Sequence, residues 1–253
     1  MSHWSERLIL VQTGANVGFA GGNNVGLRLV MADAETEFAW LLNNDTVVDP
    51  DALAHLVRRM EEKPEAGICG STLLYYGAPD MVQALAGSTY NRWIARIGQI
   101  GLGMNAMDLP PAEDIEYRLQ YVAGASMLLR RELLETVGLL EEQYFLYFEE
   151  IDLAIRAHSK YALAYAPESR VYHKEGASIG TARLASRRSS MSEYYSTRNR
   201  LLFTRKYARA AFPTVVLAVG MSGLQRALTG KWSNFSAVLR GLVSGFEKRL
   251  GAS

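Results

Sequence analysis

The sequence predicts an α/β fold, a mostly parallel sheet flanked by helices, and three observations predict it. Short apolar runs alternate with segments whose apolar residues recur at helical spacing from Leu8 to Leu74, the pattern of a helix-covered parallel sheet. One such run, Trp40-Leu41-Leu42, breaks off into the polar tip Asn43-Asn44-Asp45, and open α/β sheets place ligand chemistry at the carboxyl ends of their strands. The chain has 253 residues, 49% of them hydrophobic and 21% charged, which is ordinary globular composition with room for one large core or two small ones.

Taken in order, Leu8-Ile9-Leu10-Val11 reads as a short strand. Asn16 to Asn24 reads as a small-residue turn, and a helix follows from about Asn23 to Ala34 with Val25, Leu27, Leu29 and Val30 as its apolar positions. Phe38 to Leu42 is the next strand. Pro50 to Lys63 is a helix carrying Leu53, Leu56, Val57 and Met60, closed by Pro64, since proline cannot continue a helix. Ala66 to Leu74 reads as another strand. From Tyr75 to Gln120, glycines with Pro79, Pro110 and Pro111 loosen the pattern and predict long loops over a substrate site. Tyr121 to Arg130 is apolar around Gly124 and Ala125, and a helix follows over Arg131 to Val137. Phe145 to Phe148 leads into a helix bearing Glu149, Glu150, Asp152 and Arg156. Ala162 to Ala166 and Arg170 to His173 read as two strands.

Beyond Thr181, arginines from Arg183 to Arg209 crowd together with Glu193 alone opposing them. This shift divides the chain into a first domain over 1–194 and a helical, basic segment over 195–253. Ala210 to Gln225 is apolar but shorter than the roughly 20 residues of a spanning helix, and it contains Pro213 and two glycines; it is expected to be buried or interfacial. Met1 to Arg7 has no leader pattern. A net charge of +1 argues against a dedicated nucleic-acid binder. The single cysteine, Cys69, excludes an internal disulfide and fits a reducing cytosol.

Four motifs carry candidate chemistry. Asp45 at a strand end can hold a hard divalent cation through oxygen; a turn followed by an N-cap explains the same residues equally well. Glu149 and Glu150 follow four apolar or aromatic residues, a setting that tunes a carboxylate toward general-base work; an acidic first turn that complements the helix dipole is the competing reading. His173, just after a strand, can add a nitrogen ligand to a metal held by carboxylates, or it is a plain loop histidine. Gly18, Gly21 and Gly22 miss the spacing of a dinucleotide fingerprint. They would let backbone approach a base or ribose closely, or they simply form a tight strand-to-helix turn.

Together and in order, these segments resemble the family-2 glycosyltransferases, in particular their bacterial rhamnosyltransferase-like branch. The resemblance rests on NVGFAGGNNVGL (16–27), LLNNDTVVDPDAL (41–53), GASMLLRRELLETVGLLEEQYFLYFEEIDLAIRA (124–157), VYHKEGAS (171–178) and YYSTRNRLLF (194–203). It implies a GT-A fold and a metal-dependent, inverting transfer of a sugar, rhamnose first among candidates, from a nucleotide-diphosphate donor to a glycan or lipid-linked acceptor. It implies Asp45 as ligand of Mn²⁺ or Mg²⁺, with Asn43 in the place of the family's usual first aspartate and His173 as a further ligand. Glu150 falls where the family keeps its base, with Glu149 beside it. Asn16, Gly18, Gly22, Asn23, Asn44, Gly124 and Ala125 fall on donor-binding segments.

The family's opening strand, helix and second strand have no counterpart before Leu8, so the resemblance implies an N-terminally truncated member that lacks an inner strand of the sheet. Two other readings share the residues. One is a non-catalytic remnant of such an enzyme. The other is a membrane-surface protein whose arginine-rich stretch, with Tyr194, Tyr195, Leu201, Leu202 and Phe203, lies on anionic lipid. A cytoplasmic location, peripheral at the inner face of the cytoplasmic membrane, is expected with the enzyme reading.

Overall fold

A computed structural model of the chain describes residues 8–174 and 189–247. Its first element is helix α1 (Gly18–Ala32), followed by strands β1 (Phe38–Leu42) and β2 (Thr46–Val48) and helix α2 (Ala52–Glu62). Strands β3 (Ala66–Tyr75), β4 (Ala78–Leu85), β5 (Gly87–Asn91) and β6 (Arg96–Gln99) come next, then α3 (Ala112–Arg118), β7 (Tyr121–Val122), β8 (Ser126–Arg130) and α4 (Arg131–Val137). Helix α5 (Glu149–Ala157) and strand β9 (Ala162–His173) complete the sheet region, and α6 (Ser190–Tyr207), α7 (Phe212–Leu228) and α8 (Trp232–Glu247) follow.

The main sheet runs β1-β8-β3-β9-β2, with β4 pairing the far half of β3. Strand alternation sorts its side chains into two faces. Ala39, Leu41, Ile68, Met127 and Leu129 join Leu27 of α1, Leu133 of α4 and Leu153 of α5 on one face. On the other, Cys69, Leu128 and Ala164 pack with Leu56 and Met60 of α2. β3 lies at the centre and is buried at every position, as a strand covered on both faces must be.

The α/β sandwich is the predicted one, but its sheet is mixed, not mostly parallel. β3 and β9 pair in parallel, whereas β1 with β8, β3 with β8, β3 with β4 and β2 with β9 pair antiparallel. The chain leaves β3 through a hairpin into β4, and it re-enters the sheet at β8 with reversed sense. The region expected as long loops holds this hairpin and a second sheet, β6-β5-β7. Its strands were hidden because each is short; β5 pairs locally with β6, and Gly87 and Ser88 find Val122 and Tyr121 of β7 far along the sequence.

Other boundaries moved for local reasons. Leu8 to Val11 is not a strand: it is irregular and exposed, Leu10 to 85%. A strand needs a ladder partner, and among the described residues none lies beside this run. The two strands expected over 162–173 are one, β9, with a register irregularity opposite Ser71 and Thr72 where Pro167 interrupts the donors. Residues 194 and 195, the expected domain boundary, lie inside α6. That helix is an interior one: Leu201, Leu202 and Phe203, expected on a lipid surface, are buried. Arg183, Arg187, Arg188 and residues 175–178 of the histidine motif lie outside the described residues.

Candidate active site

The site is assembled at one edge of the main sheet. β1 ends there at Leu42, β9 ends at His173, and β8, running the opposite way, begins at Ser126. Their loops are tied together. The Asn43 N–H donates to the Ala125 carbonyl at 3.1 Å, so the Asn-Asn-Asp tip rests on the Gly124-Ala125 turn. The Lys174 N–H donates to the Asp45 carbonyl at 2.9 Å. Beneath them a buried hydroxyl chain links the strands: Trp40 Nε1 donates to Ser126 Oγ at 3.0 Å, Ser126 meets Ser71 Oγ at 2.7 Å, and Ser71 meets Ser169 Oγ at 2.9 Å.

Asp45 and His173, 128 residues apart, meet at this edge with Oδ1 3.1 Å from Nε2. His173 is buried, while the Asp45 side chain is 45% exposed and faces the open side. His173 Nδ1 lies 2.9 Å from Gln83 Oε1. If the Gln83 carbonyl accepts from an Nδ1–H, the Nε2 lone pair faces Asp45. An Nε2–H donating to Asp45 satisfies this contact, and with the ring proton on Nδ1 the same two atoms could share a cation. A hydrogen bond on the far ring nitrogen is also how metal-ligating histidines are usually oriented. One carboxylate oxygen and one imidazole nitrogen are donor types that suit a divalent cation. Among the described residues no group of three His, Cys, Asp or Glu side chains converges. Asn43 contributes backbone contacts here, and Asn44 is exposed beside it.

The carboxylate pair enters from α5. Glu150 reaches the Gly124 turn: a Cβ at Gly124 would lie 2.8 Å from Glu150 Oε1 and 2.7 Å from Phe19 Cζ, so a side chain there would have to displace both. Burial raises the proton affinity of Glu150, and the N–H groups of Glu150 and Gly124 pull it partly back down. Glu149 is almost wholly buried, and its Oε2 has no hydrogen-bond partner. Burial first, and the Glu150 charge second, hold its carboxyl well above the ordinary range. The two titrate as a pair, with Glu149 keeping its proton to higher pH and Glu150 facing the site.

The backbone that delivers this pair is strained. Phe145, Tyr147 and Phe148 all have positive φ, at 66°, 72° and 80°. The Leu146 N–H donates to the Tyr144 carbonyl at 2.8 Å, which closes a tight γ-turn over Phe145. Such conformations cost about 1–3 kcal/mol each and persist only when surroundings impose them. Here α6 imposes them. Asn199 Nδ2 donates to the carbonyls of Tyr144, Leu146 and Tyr147 at 2.8–2.9 Å. Arg198 Nη2 donates to those of Gln143 and Tyr144 at 2.9 and 2.6 Å. Tyr195 stacks on Phe145 at 4.6 Å. Farther along α5, buried Asp152 accepts from Arg156, Lys206 and Tyr207 and locks α5 to the end of α6.

The structure brings Asp45, His173, Glu150, Gly124 and Ala125 into one neighbourhood, while the Asn16 to Asn24 segment is built differently from the expected turn. It is the start of α1, not a free turn. Gly18, at φ +76°, lies so close under Phe145 that a Cβ would meet the Phe145 carbonyl oxygen. Asn16 Oδ1 accepts from the Gly18 N–H at 3.0 Å, and Asn23 Nδ2 donates to the Phe19 carbonyl at 2.9 Å. Gly22 has open space where a side chain would be. Gly18 and Phe19 meet the Phe145 backbone of the carboxylate loop, and Asn24, which the sequence reading passed over, holds the chain just before it. Buried Asn24 donates to the Leu140 carbonyl and to Glu142. Gln83, Arg198 and Asn199 were also missed. Gln83 sat in a stretch read as loop, and the other two looked like part of a basic surface.

A model of the glycosyltransferase-like family 2 matches residues 4–200. The chain is 23% identical to the low-salt glycan biosynthesis hexosyltransferase Agl10 of Haloferax volcanii, over 95% of this chain and 76% of that protein. It is 25% identical to the N-acetylglucosaminyl-diphospho-decaprenol L-rhamnosyltransferase of Mycobacterium tuberculosis, over 68% of this chain and 60% of that one. Among solved structures, the mannosyltransferase PcManGT from Pyrobaculum calidifontis, in complex with GDP-Man and Mn²⁺, superposes with a TM-score of 0.51 at 14% identity, covering 96% of this chain and 72% of that one. GalNAc-T7 with UDP, GalNAc and Mn²⁺ gives 0.54 at 15% identity, covering 78% of this chain and 36% of that one. At such identities the structural likeness establishes the GT-A fold.

Proposed function

Because the chain belongs to the glycosyltransferase-like family 2, we propose that it transfers a sugar from a nucleotide-diphosphate donor to a hydroxyl of a glycan or lipid-linked acceptor, with inversion and with the help of a divalent cation. The observation that carries this reading is the convergence at one sheet edge of two unlike groups: the Asp45–His173 pair, oriented by Gln83, and the Glu150 carboxylate against Gly124. The first suits the anionic leaving group, and the second suits the nucleophile.

Asp45 and His173 would hold the cation, Mn²⁺ or Mg²⁺, which when bound neutralises the diphosphate and improves it as a leaving group. Glu150 accepts the acceptor hydroxyl's proton as that oxygen attacks the anomeric carbon from the face opposite the diphosphate. A carboxylate with raised proton affinity suits this work. Glu149, its neighbour at the start of α5, is almost wholly buried and holds its proton to higher pH. The exposed Asn44 and the Gly124-Ala125 turn border the space between the two groups, where a nucleoside diphosphate would lie. Rhamnose is the first donor sugar to test, because the mycobacterial relative is named for it.

Calorimetric titration of the full chain with dTDP, UDP and GDP, each with and without Mn²⁺, tests the reading directly. One nucleotide should bind, at least about tenfold more tightly with the metal, and Asp45→Ala should remove the metal-dependent increment. A folded chain that binds none of the three, or binds equally without metal, sinks the proposal.

A further inference from the structure

Away from the site, two helices turn apolar faces outward. On α7, Leu217, Met221, Leu224 and Leu228 recur at helical spacing and are 57–79% exposed. The other exposed positions of that helix, among them Pro213, Gly220 and Gln225, carry no charge. On α8, Trp232, Leu239, Val243 and Phe246 form a second outward stripe. The inward faces are already occupied. Val215, Val219 and Gly223 of α7 are buried, with Gly223 close to Val238 of α8. Gly241 and Gly245 of α8 sit against Thr197 and Leu201 of α6. The helices run antiparallel, with Phe212 edge-on to Phe246.

We propose that this α7–α8 hairpin docks the protein on an anionic phospholipid bilayer, lying in the headgroup interface and not crossing it. From Arg209 to the last residue the sequence has Arg209, Arg226, Lys231, Arg240, Lys248 and Arg249 against the single acid Glu247. Outward apolar stripes on a segment with this excess of cations in its sequence match a layer whose outer shell is anionic and whose next layer is hydrocarbon. A second copy of the chain would bring the same cations toward each other, which opposes that contact. Trp232 stands exposed just past the hairpin turn at Gly230, the kind of position where interfacial tryptophans anchor. Residues 209–228 are long and apolar enough to span a membrane. Spanning would strip Val215 and Val219 from their packing and break the 2.9 Å ion pair of Arg226 with Glu193 on α6, so a helix fastened this way lies on the surface.

The test is co-sedimentation of the full chain with phosphatidylcholine vesicles and with vesicles of phosphatidylcholine and phosphatidylglycerol at about two to one, at low and high salt. The chain should partition at least about tenfold more strongly into the anionic vesicles, and salt should weaken the binding. Leu217→Glu combined with Leu224→Glu should lower the partition about tenfold or more. Both positions are exposed, so melting temperature and nucleotide titration of the same variant should be unchanged, which separates this result from failure of the transfer reaction. No sedimentation, equal sedimentation with neutral vesicles, or unchanged binding by the double variant overturns the proposal. So does a concentration-dependent dimer, seen by light scattering, that the double variant abolishes.

Discussion

Helices α6 and α7 are adjacent in sequence and opposite in logic. α6 is polar and rich in arginine, yet Arg198 and Asn199 are buried and point their donors at backbone. α7 is apolar, yet it leaves Leu217, Met221, Leu224 and Leu228 in solvent. Composition predicts the reverse of both, because hydrophobic residues are normally the buried ones. The difference lies in what each helix must satisfy. α6 faces a loop whose strained turn leaves carbonyls without regular partners, and buried carbonyls require donors. α7 has one narrow packed seam and an outer face free for other use.

The largest effect tests what α6 protects. If the helix exists to hold the loop that presents Glu150, removing the carboxylate sets the upper limit of any α6 effect. Glu150→Gln should lower turnover by about 10²–10⁴ while the nucleotide still binds with metal, because Asp45 and His173 are untouched. A variant that keeps near-normal turnover would move the base elsewhere and remove the reason for the clamp.

Next in size is the clamp itself. Asn199→Ala strips one donor group from three carbonyls, and Arg198→Ala strips donors from two. Each should cost about 1–3 kcal/mol of stability for the unsatisfied groups. Turnover should fall well beyond what the unfolded fraction explains, because Glu150 loses its fixed position. Arg198→Lys should not restore it, since one ammonium lacks the planar fork. Chemical denaturation and steady-state kinetics on the same samples read both quantities. Lost stability with intact turnover per folded molecule would reduce α6 to ordinary packing.

A smaller effect belongs to Glu149. Its carboxyl holds a proton in the folded protein to higher pH than in the unfolded chain, where the ordinary value is 4.5. Above that value the unfolded state releases the proton before the folded state does. Stability should therefore fall as pH rises from about 4.5 toward the folded value. Glu149→Gln removes the buried ionisation and should flatten that decline, leaving the variant more stable than the parent at neutral pH. Thermal melts across the pH range decide it, and identical slopes for parent and variant would contradict the assignment.

Legibility followed range. α4 begins and ends where its local pattern placed it, and β1, β3 and α5 lie within a residue or two, because caps, prolines and apolar spacing are local signals. Asp45, His173 and Glu150 stood out in the sequence because each lies at the end of a strand or the start of a helix. The strand directions were not, since β8 inserts between β1 and β3 only after the excursion through β4 to β7. Nor was Gln83, whose meaning depends on a histidine 90 residues later. α6 was misread because its signal is a count of arginines, and a count does not say which way the side chains turn. The glycines of α1 were read as ligand contacts, when Gly18 is required by the Phe145 backbone pressed against it.

The smallest expected effect is the sharpest test of the contrast, because it pairs two faces of one helix. Val215 and Val219 lie on the inner seam of α7, whereas Leu217 and Leu224 lie on the outer face. Val→Ala at either inner position removes buried methyl groups and should cost about 1–2 kcal/mol, from ~0.8 kcal/mol per buried CH₂ plus the cavity left behind. Leu217→Ser or Leu224→Ser removes larger side chains, yet should shift stability by no more than about 0.5 kcal/mol in water, because those atoms are already hydrated. Larger side chains giving the smaller loss would show that the outer stripe contributes little to holding the monomer together. A loss at Leu217 or Leu224 equal to that at Val215 would mean that the stripe packs against protein in solution, and α7 would then be an ordinary core helix.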